Sequence, residues 1–321
     1  MSQDHHQLDS NLICRVILPL IQSNPSVSIS VLQGAVQVSY HFKSSYRKVW
    51  MAKQKAIAQI YGDWEESYNK VPKLLQALQS YFSSTICDLR VKPLYNAHLF
   101  VRDCKAFKYC KPFVSVDRMH LYGRYSSVLL IAVAQDGNSN ILPIAFAIAE
   151  FESMESWSFF LTKLRRHVTP QDGLLVISDR SQVIKAALSS NDSGWHPPRA
   201  YHAYYIRHMA ANFMTRFKPV EGKRYLINAT YSPSKVDYEW YMNALRGVSP
   251  TMVDWATRFR KEIWLQHCDG GRRFGHMATN LSECINAVLK GTQYLPISAI
   301  VRITYERLQK LFMTKGREAQ S

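Results

Sequence analysis

Three carboxylates stand where their surroundings could give them a chemical role. Asp117 ends "KPFVSVD", an apolar run typical of a buried strand, and Asp179 follows a second such run, Leu174 to Ile177. Glu283 lies in "TNLSECINAVLKG", which has helical periodicity. Carboxylates plus water suit Mg²⁺ or Mn²⁺. Two such ions about 4 Å apart can activate a water or a 3′-hydroxyl in phosphodiester chemistry. All three residues are therefore candidate catalytic residues and metal ligands.

Two of these carboxylates also have a purely structural interpretation. Asp179 precedes a helical pattern and could cap it, with Gln182 in the place that a capping box requires. Asn280 and Glu283 have the same spacing at the start of their own helix. The residues alone leave both interpretations open.

The elements around these residues predict how they are brought together. Three apolar strands, "KPFVSVD", "SSVLLIAVAQ" and "ILPIAFAIAE", come first, and Asp136-Gly137 predicts a hairpin between the second and third. An amphipathic helix, "SMESWSFFLTKLRRHV", then leads to a strand, a helix, a short strand and another helix. This order predicts an α/β fold with an RNase H-like mixed sheet. In that sheet the strands ending at Asp117 and Asp179 are neighbours, so their carboxylates approach each other.

Changes in residue composition and hydrophobic periodicity along the chain predict five regions. Residues 1–86 form a helical N-terminal region with a helix-turn-helix-like arrangement, and residues 87–110 form a linker. Residues 111–218 form the first part of the RNase H-like domain, and residues 219–278 form a helical insertion rich in Trp, Tyr and Arg. Residues 279–321 supply the last core helix, which carries Glu283, and a C-terminal helix.

The charge of the chain indicates a polyanionic partner. Lys and Arg number 40 against 24 Asp and Glu, a net charge of +16, and such an excess most often indicates nucleic acid. The alternative is a protein that is merely basic. Residues 41 to 60 contain cations and no acid, which predicts a DNA-binding helix, although a solvated helix face packed on the main domain is equally compatible. The candidate DNA-binding residues are Lys43, Arg47, Lys48, Lys53 and Lys55.

Other function classes are disfavoured by the sequence. No run of about 18 apolar residues predicts a membrane span, and the polar N-terminus does not resemble a secretory signal. The six cysteines form no Cys-x-x-Cys pair, so reduced thiols in an intracellular protein are the simplest expectation.

Five segments together carry a resemblance to a known family. They are "VSVDRMHLYGRYSSVLLIAVAQDGNSNILPIAFAIAE", "ESWSFFLTKL", "LLVISDRSQVIKAAL", "AYYIRHMAANF" and "TNLSECINAVL". With these segments the sequence resembles a Mutator-like element (MULE, MuDR-type) transposase of plants. The resemblance implies a DDE transposase core on an RNase H-like fold, with Asp117, Asp179 and Glu283 as the triad and Mg²⁺ or Mn²⁺ in a two-metal site. It also implies DNA element ends as the partner, a nuclear location and a homo-oligomeric assembly.

The chain departs from the family pattern at two places of chemical interest. Arg118 follows the first Asp where the family has Gly, and a cation there could compete with metal for the carboxylate. Alternation along a strand could instead point Arg118 to the opposite face. The remnant of the Cys-x-x-His motif after the second Asp is His202, Tyr205 and His208, with Tyr205 where Cys is usual. Relative to the family, the segment "VRDCKAFKYCKPF" is also short and a downstream Cys/His-rich motif is lacking. Together these departures predict a truncated or decayed copy, and a non-catalytic, transposase-derived DNA-binding or regulatory protein is the alternative to an active enzyme.

Overall fold

The computed structural model describes most of the chain, in two units. The described residues are 9–81, 86–92, 95–101, 106–122, 126–273, 285, 287–289 and 291–318. Residues 1–82, 119–128 and 286–321 group into the first unit, and residues 83–118 and 129–285 group into the second.

The first unit is mainly helical, as the sequence predicts. Its helices are α1 (Ser10–Ser23), α2 (Ile29–Tyr40), α3 (Tyr46–Tyr61), α4 (Trp64–Tyr81) and α12 (Ile297–Glu318). Asp9 caps α1, because its carboxylate accepts hydrogen bonds from the backbone N–H groups of Asn11 and Leu12 at 2.8 and 2.9 Å. Helix α3 ends at Gly62, whose φ of 94° few other residues tolerate. Each of the first three helices buries apolar side chains completely, for example Ile17 in α1, Val36 in α2 and Ile57 in α3.

A seven-stranded mixed sheet runs in the order β1-β2-β5-β4-β3-β6-β7. Its strands are β1 (Ile86–Lys92), β2 (Tyr95–Val101), β3 (Phe113–Leu121), β4 (Ser127–Gln135), β5 (Ile141–Ala149), β6 (Leu174–Ser178) and β7 (Ala200–Tyr204). Strands β4, β5 and β6 are buried almost throughout, which explains why their sequences are near-continuous apolar runs instead of alternating ones. The predicted hairpin joins β4 to β5 through residues 136–140, and Asp136 holds the turn by accepting a hydrogen bond from the N–H of Asn140 at 2.7 Å.

Strand β1 from its second residue and all of β2 lie in the interval 87–110, for which the sequence predicts a linker. They pair antiparallel with each other, and β2 pairs antiparallel with β5. A signal is present in "CDLRVK", where apolar residues alternate with charged ones at the period of a strand. That alternation is short and covers only β1, so it is a weak indication of the antiparallel pair that β1 forms with β2.

The prediction that the first core strand ends at Asp117 is wrong. Strand β3 continues to Leu121, and its last residues alternate between buried Met119 and Leu121 and the less buried Arg118 and His120. The two polar residues interrupt the apolar run without interrupting the strand, because a period of two allows polar side chains on the outward face.

The neighbouring strands β3 and β6 are parallel, with Phe113 opposite Leu175 and Ser115 opposite Ile177. Asp117 in β3 and Asp179, directly after β6, each lie two residues beyond the last of these pairs. The predicted adjacency of the strands that carry these two residues is therefore confirmed. Strand β7 extends the parallel part of the sheet, with Ser178 opposite Tyr204.

Helices connect and follow the last strands in the second unit. They are α5 (Met154–His167), α6 (Gln182–Ser189), α7 (Ile206–Arg216), α8 (Val220–Tyr231), α9 (Lys235–Val248), α10 (Pro250–Thr257) and α11 (Lys261–Trp264). Helix α5 begins with a capping box between Ser153 and Ser156 and buries Trp157, Phe160 and Leu164 as predicted. Helices α7 to α11 share an apolar cluster that includes Trp264. In the part of the chain that the structure describes, no helix is long and apolar enough to cross a membrane.

Candidate functional site

Asp179 stands directly after β6, at the carboxyl end of the parallel strands, which is where ligands bind in many open α/β sheets. Its Oδ1 accepts a hydrogen bond from the backbone N–H of Ser181 at 2.9 Å. Helix α6 begins one residue later, at Gln182, and Ser181 stands at its N-cap. The carboxylate therefore closes a local turn before the helix, and the interpretation of Asp179 as the helix cap is wrong.

Arg118 bridges two carboxylates at this end of the sheet. Its Nη1 donates a hydrogen bond to Oδ2 of Asp179 at 3.1 Å. Its Nε lies 2.9 Å from Oε2 of Glu152, an ion pair that lacks hydrogen-bond geometry. The three side chains are largely shielded from solvent, with exposed fractions of 29%, 16% and 17% for Arg118, Asp179 and Glu152. The alternative that Arg118 points away from the acidic site is therefore wrong. Alternation puts Arg118 and Asp117 on opposite faces of β3, yet the long side chain still reaches Asp179.

Glu152 is a participant that sequence reasoning missed. Its Oε1 accepts a hydrogen bond from Nε1 of buried Trp157 at 3.0 Å and a longer one from the hydroxyl of Ser181 at 3.4 Å. Its Oε2 faces Arg118. Glu152 lies one residue before the N-cap of α5, in a segment with two other glutamates, and no sequence pattern distinguishes it from them. Only the packing of α5 beside the sheet reveals its role.

Asp117 is 8% exposed and lies in the middle of β3. Its Oδ1 accepts a hydrogen bond from the backbone N–H of Arg118 at 2.8 Å. Two residues earlier, on the same face of the strand, the hydroxyl of Ser115 contacts the hydroxyl of Tyr205. Tyr205, which stands where the family motif has Cys, therefore packs against β3, the strand that carries Asp117.

The three residues of the motif remnant have structural contacts near β6 and β7. Tyr205 is 1% exposed, precedes α7, and donates its backbone N–H to the carbonyl of Ser178 at 3.0 Å. The rings of Tyr205 and His208 lie 5.5 Å apart between centroids. His202 on β7 lies 2.9 Å from the hydroxyl of Ser178 through Nε2. Burial, assisted by the nearby cations Arg260, Arg273 and Lys185, lowers the pKa of His202 to about 4. This histidine is therefore neutral at physiological pH.

The arrangement at Asp179 does not fit a divalent metal as it stands. Both carboxylate oxygens of Asp179 have donors, the Ser181 N–H and the Arg118 guanidinium. Within the described ranges, no three His, Cys, Asp or Glu residues are placed to hold a metal ion. The third candidate ligand, Glu283, lies outside the described residues, as does its competing role in a capping box.

The candidate DNA-binding residues divide into exposed and internal ones. Lys43, Arg47 and Lys55 are exposed, and Lys48 is half-buried. Lys53 is 5% exposed, its Nζ donates a hydrogen bond to the carbonyl of Val27 at 2.7 Å, and its ammonium lies 4.8 Å from the ring centroid of Tyr294. Burial lowers the pKa of Lys53. Lys53 is therefore a core residue of the first unit and is not positioned to contact DNA.

Among the described cysteines, Cys14, Cys87 and Cys268 are free thiols. Burial raises the pKa of Cys87 to about 12 and that of Cys110 to about 11, so neither is a ready thiolate.

Comparison with known proteins connects this site to a family. Residues 113–212 match the family model of the MULE transposase domain. The matched segment runs from the first residue of β3 into α7 and contains Asp117, Arg118, Glu152 and Asp179. No curated protein matches the chain. The match supports a transposase-type protein of the Mutator-like kind, with DNA as the expected partner.

Proposed function

We propose that this chain is a MuDR-type, plant Mutator-like transposase derivative that binds DNA through its basic surface and whose catalytic centre is closed. The observation that carries the proposal is the coincidence of the MULE domain match with two aspartates on the neighbouring parallel strands β3 and β6 or directly after them, each two residues beyond the last pair. An RNase H-like core is part of the proposal. It is supported by β3, β4 and β5, which follow one another in the chain and are neighbours in the sheet. The next two strands, β6 and β7, are parallel to each other, with α5 before β6 and α6 between the two.

The inherited chemistry in this proposal is that of a DDE triad, Asp117, Asp179 and Glu283. When bound, Mg²⁺ or Mn²⁺ would supply the electrostatic stabilisation for phosphodiester cleavage and strand transfer. The retention of Asp117 in β3 and of Asp179 directly after the adjacent strand β6 favours this catalytic candidate. In the observed arrangement, however, Asp179 is engaged with a guanidinium, and no step of that reaction follows from the observed contacts.

The non-catalytic candidate is favoured by Arg118 and by Tyr205. Arg118 places a permanent cation on one proposed ligand, and Tyr205 fills the space beside Ser115 with a phenol. Neither contact hinders the use of the remaining surface for binding DNA. We therefore infer a DNA-binding role without turnover, in the nucleus where such DNA would be found.

DNA binding in this proposal depends on electrostatics. The net charge of +16 gives the chain a general attraction for phosphates. Lys43, Arg47 and Lys55 remain exposed on or beside α3, and exposed Trp50 shares the helix with them. Cations of this kind position a protein on the DNA backbone without reading its sequence.

Two assays on the purified chain test this function. Fluorescence anisotropy with a duplex oligonucleotide should give binding that weakens steeply with salt, because neutralised phosphates release counterions. Incubation with supercoiled plasmid and Mg²⁺ or Mn²⁺ should give no nicking above that of an Asp179→Asn control. Absence of DNA binding at low salt would overturn the proposal. Metal-dependent nicking that Asp179→Asn abolishes would replace it with the catalytic candidate.

A further inference from the structure

We propose that Arg118 is an internal replacement for a metal ion, held between Asp179 and Glu152, so that divalent metal binds at Asp179 only when this guanidinium is removed. The proposal rests on the proposed function, in which Asp179 descends from a metal ligand. It concerns a residue to which the family match does not assign any role.

The contacts of Arg118 engage two edges of its guanidinium. Nη1 meets Oδ2 of Asp179 at 3.1 Å, and Nε lies 2.9 Å from Oε2 of Glu152. The Nη1 contact is a hydrogen bond between ionised partners and is therefore stronger than a neutral one. The Nε contact adds electrostatic attraction to Glu152 without a hydrogen bond. A metal ion that approached Asp179 would have to break the first contact and expose two acids to each other.

The second carboxylate is held firmly enough to keep the cation in place. Glu152 accepts a hydrogen bond from Trp157, whose side chain is fully buried in α5. It also lies within reach of the Ser181 hydroxyl, whose backbone N–H binds Asp179. The anchors of Arg118 are therefore connected to each other through Ser181. Arg118 is held by a closed set of contacts instead of by one flexible ion pair.

Titration with Mn²⁺, followed by electron paramagnetic resonance of the free ion, tests the proposal without requiring activity. Arg118→Gln should bind Mn²⁺ at least tenfold more tightly than the parent, and the double variant Arg118→Gln, Asp179→Asn should lose this gain. Arg180→Gln is the matched control. It removes a cation next to Asp179 whose guanidinium instead lies over the ring of Phe259, 4.6 Å from the centroid. The control should bind Mn²⁺ as the parent does.

Thermal unfolding supplies a second readout. Mn²⁺ should raise the Tm of Arg118→Gln but leave the Tm of the parent unchanged, since a ligand stabilises only the fold that binds it. Equal Mn²⁺ affinity in the parent and Arg118→Gln would overturn the proposal, as would a gain that persists after Asp179→Asn. DNA binding by anisotropy reports separately on the proposed function, so failure of the metal test alone leaves that function standing.

A second proposal rests on a different part of the second unit. A cleft of about 480 Å³ lies between residues of α6 and β7 and the segment 260–272. Its lining includes Lys185, Arg260 and Arg272 together with His202 and Tyr201. Lys185 and Arg260 are exposed, whereas the guanidinium of Arg272 lies 3.8 Å from the ring centroid of Tyr201.

The charges around this cleft favour an anion. Two acids, Glu262 and Asp269, also line it, but Asp269 lies 3.9 Å from buried Arg273, which does not line the cleft. The three lining cations therefore outweigh the acids. The positive charge around the cleft also affects His202. Burial is the main cause of its lowered pKa, and Arg260, Arg273 and Lys185 lower that pKa further because they oppose protonation.

We infer that this cleft binds a phosphodiester group of the DNA backbone. The proposal depends on DNA binding by the chain, and it adds a location that the sequence did not indicate. Lys185, on α6, and Arg260, just before α11, would contact phosphate oxygens. Arg272, held against Tyr201, would present its charge with little loss of conformational freedom.

The salt dependence of duplex binding tests the cleft. The double variant Lys185→Ala, Arg260→Ala should reduce the slope of log affinity against log salt by about 2, because each of the two cations would neutralise one phosphate. The matched control is Arg224→Ala, Lys235→Ala, which removes two exposed cations from α8 and α9, each beside an acid on its own helix. This control should change the slope by less than about 0.5, since those charges are already paired. An equal change in both variants, or no binding by the parent, would overturn the cleft proposal.

Discussion

Arg118 in the second unit and Lys53 in the first make an instructive pair. Each is a cation in a segment that the sequence connects with an external partner, metal for one and DNA for the other. Each instead contacts its own chain, Arg118 with Asp179 and Glu152, and Lys53 with the Val27 carbonyl and the Tyr294 ring. The outcome differs, because Arg118 takes the place of a partner at a candidate site, whereas Lys53 only completes a core.

The difference follows from what each cation meets. Arg118 meets two carboxylates, so its contacts are ionic and a metal could replace it. Lys53 meets a carbonyl and an aromatic ring, which compensate a buried ammonium but would not hold a metal. The sign of a side chain's charge can therefore be read from the sequence, but the partner towards which the side chain points is decided by the surrounding helices and strands.

The largest effect is expected when the charge of Lys53 is reversed. Lys53→Glu places an anion against the Val27 carbonyl and leaves that acceptor without its donor, so we expect a decrease of about 3–5 kcal/mol in unfolding free energy. Lys55→Glu, two residues away and exposed, should cost at most about 1 kcal/mol. The unfolding free energy of both variants is measured by urea denaturation. If Lys53→Glu and Lys55→Glu lowered the unfolding free energy by similar amounts, the burial of Lys53 would be contradicted.

His202 provides a test of pH dependence at the sheet end. Its folded-state pKa of about 4 lies below the value of about 6.5 expected in the unfolded chain. As pH falls from 6.5 towards 4, the unfolded chain therefore takes up a proton first, and the free energy of unfolding decreases by about 3 kcal/mol in total. Above pH 6.5 the protonation of His202 does not change the free energy of unfolding.

The matched variants for this measurement are His202→Asn and His120→Asn, the second at an exposed position on β3. Urea unfolding between pH 7.5 and pH 4.5, roughly the window set by the two pKa values, should show a smaller acid destabilisation for His202→Asn than for the parent. His120→Asn should be destabilised by acid as much as the parent is. If His202→Asn kept the full acid destabilisation of the parent, another group would be responsible.

Glu152 tests whether Arg118 is held by both carboxylates. Glu152→Gln removes one anionic partner and should lower the unfolding free energy by about 1–2 kcal/mol, since the contact is charged and only partly exposed. Glu150→Gln, at an exposed position two residues earlier, should change it by less than about 0.5 kcal/mol. Equal effects in chemical denaturation would indicate that Arg118 is bound by Asp179 alone.

The smallest effect concerns DNA binding by α3. Arg47→Ala should weaken duplex binding to all sequences alike and reduce the salt slope by about 1. Lys53→Met, which keeps most of the apolar stem, should leave the slope unchanged because its ammonium faces the core. Anisotropy titrations at several salt concentrations compare the two. A reduced slope for Lys53→Met would mean that α3 meets DNA through its other face.

Much of the fold can be read from the sequence. The apolar runs of β4, β5 and β6, the turn at Asp136 and the amphipathic face of α5 all predict the observed elements, because each signal is local. The adjacency of β3 and β6 follows from the order of strands. The full length of β3 and the strands β1 and β2 escape prediction, since charged residues break an apolar run without breaking a strand.

The candidate site is predictable only in part. Asp117 and Asp179 stand out by their places at the ends of apolar runs, and Arg118 stands out because it departs from the family pattern. The contact of Arg118 with Glu152 is not predictable, because the two residues are far apart in the chain and are brought together by the packing of α5. The burial of Lys53 is equally hidden, since it depends on Val27 and Tyr294 from other segments.

The most direct test of the central claim is a crystal structure of the parent and of Arg118→Gln, each grown with Mn²⁺ and measured at the manganese absorption edge. The account predicts no anomalous peak beside Asp179 in the parent, with Arg118 still contacting both Asp179 and Glu152, and a peak at Asp179 in Arg118→Gln. A manganese peak at Asp179 in the parent, with Arg118 displaced, would contradict it.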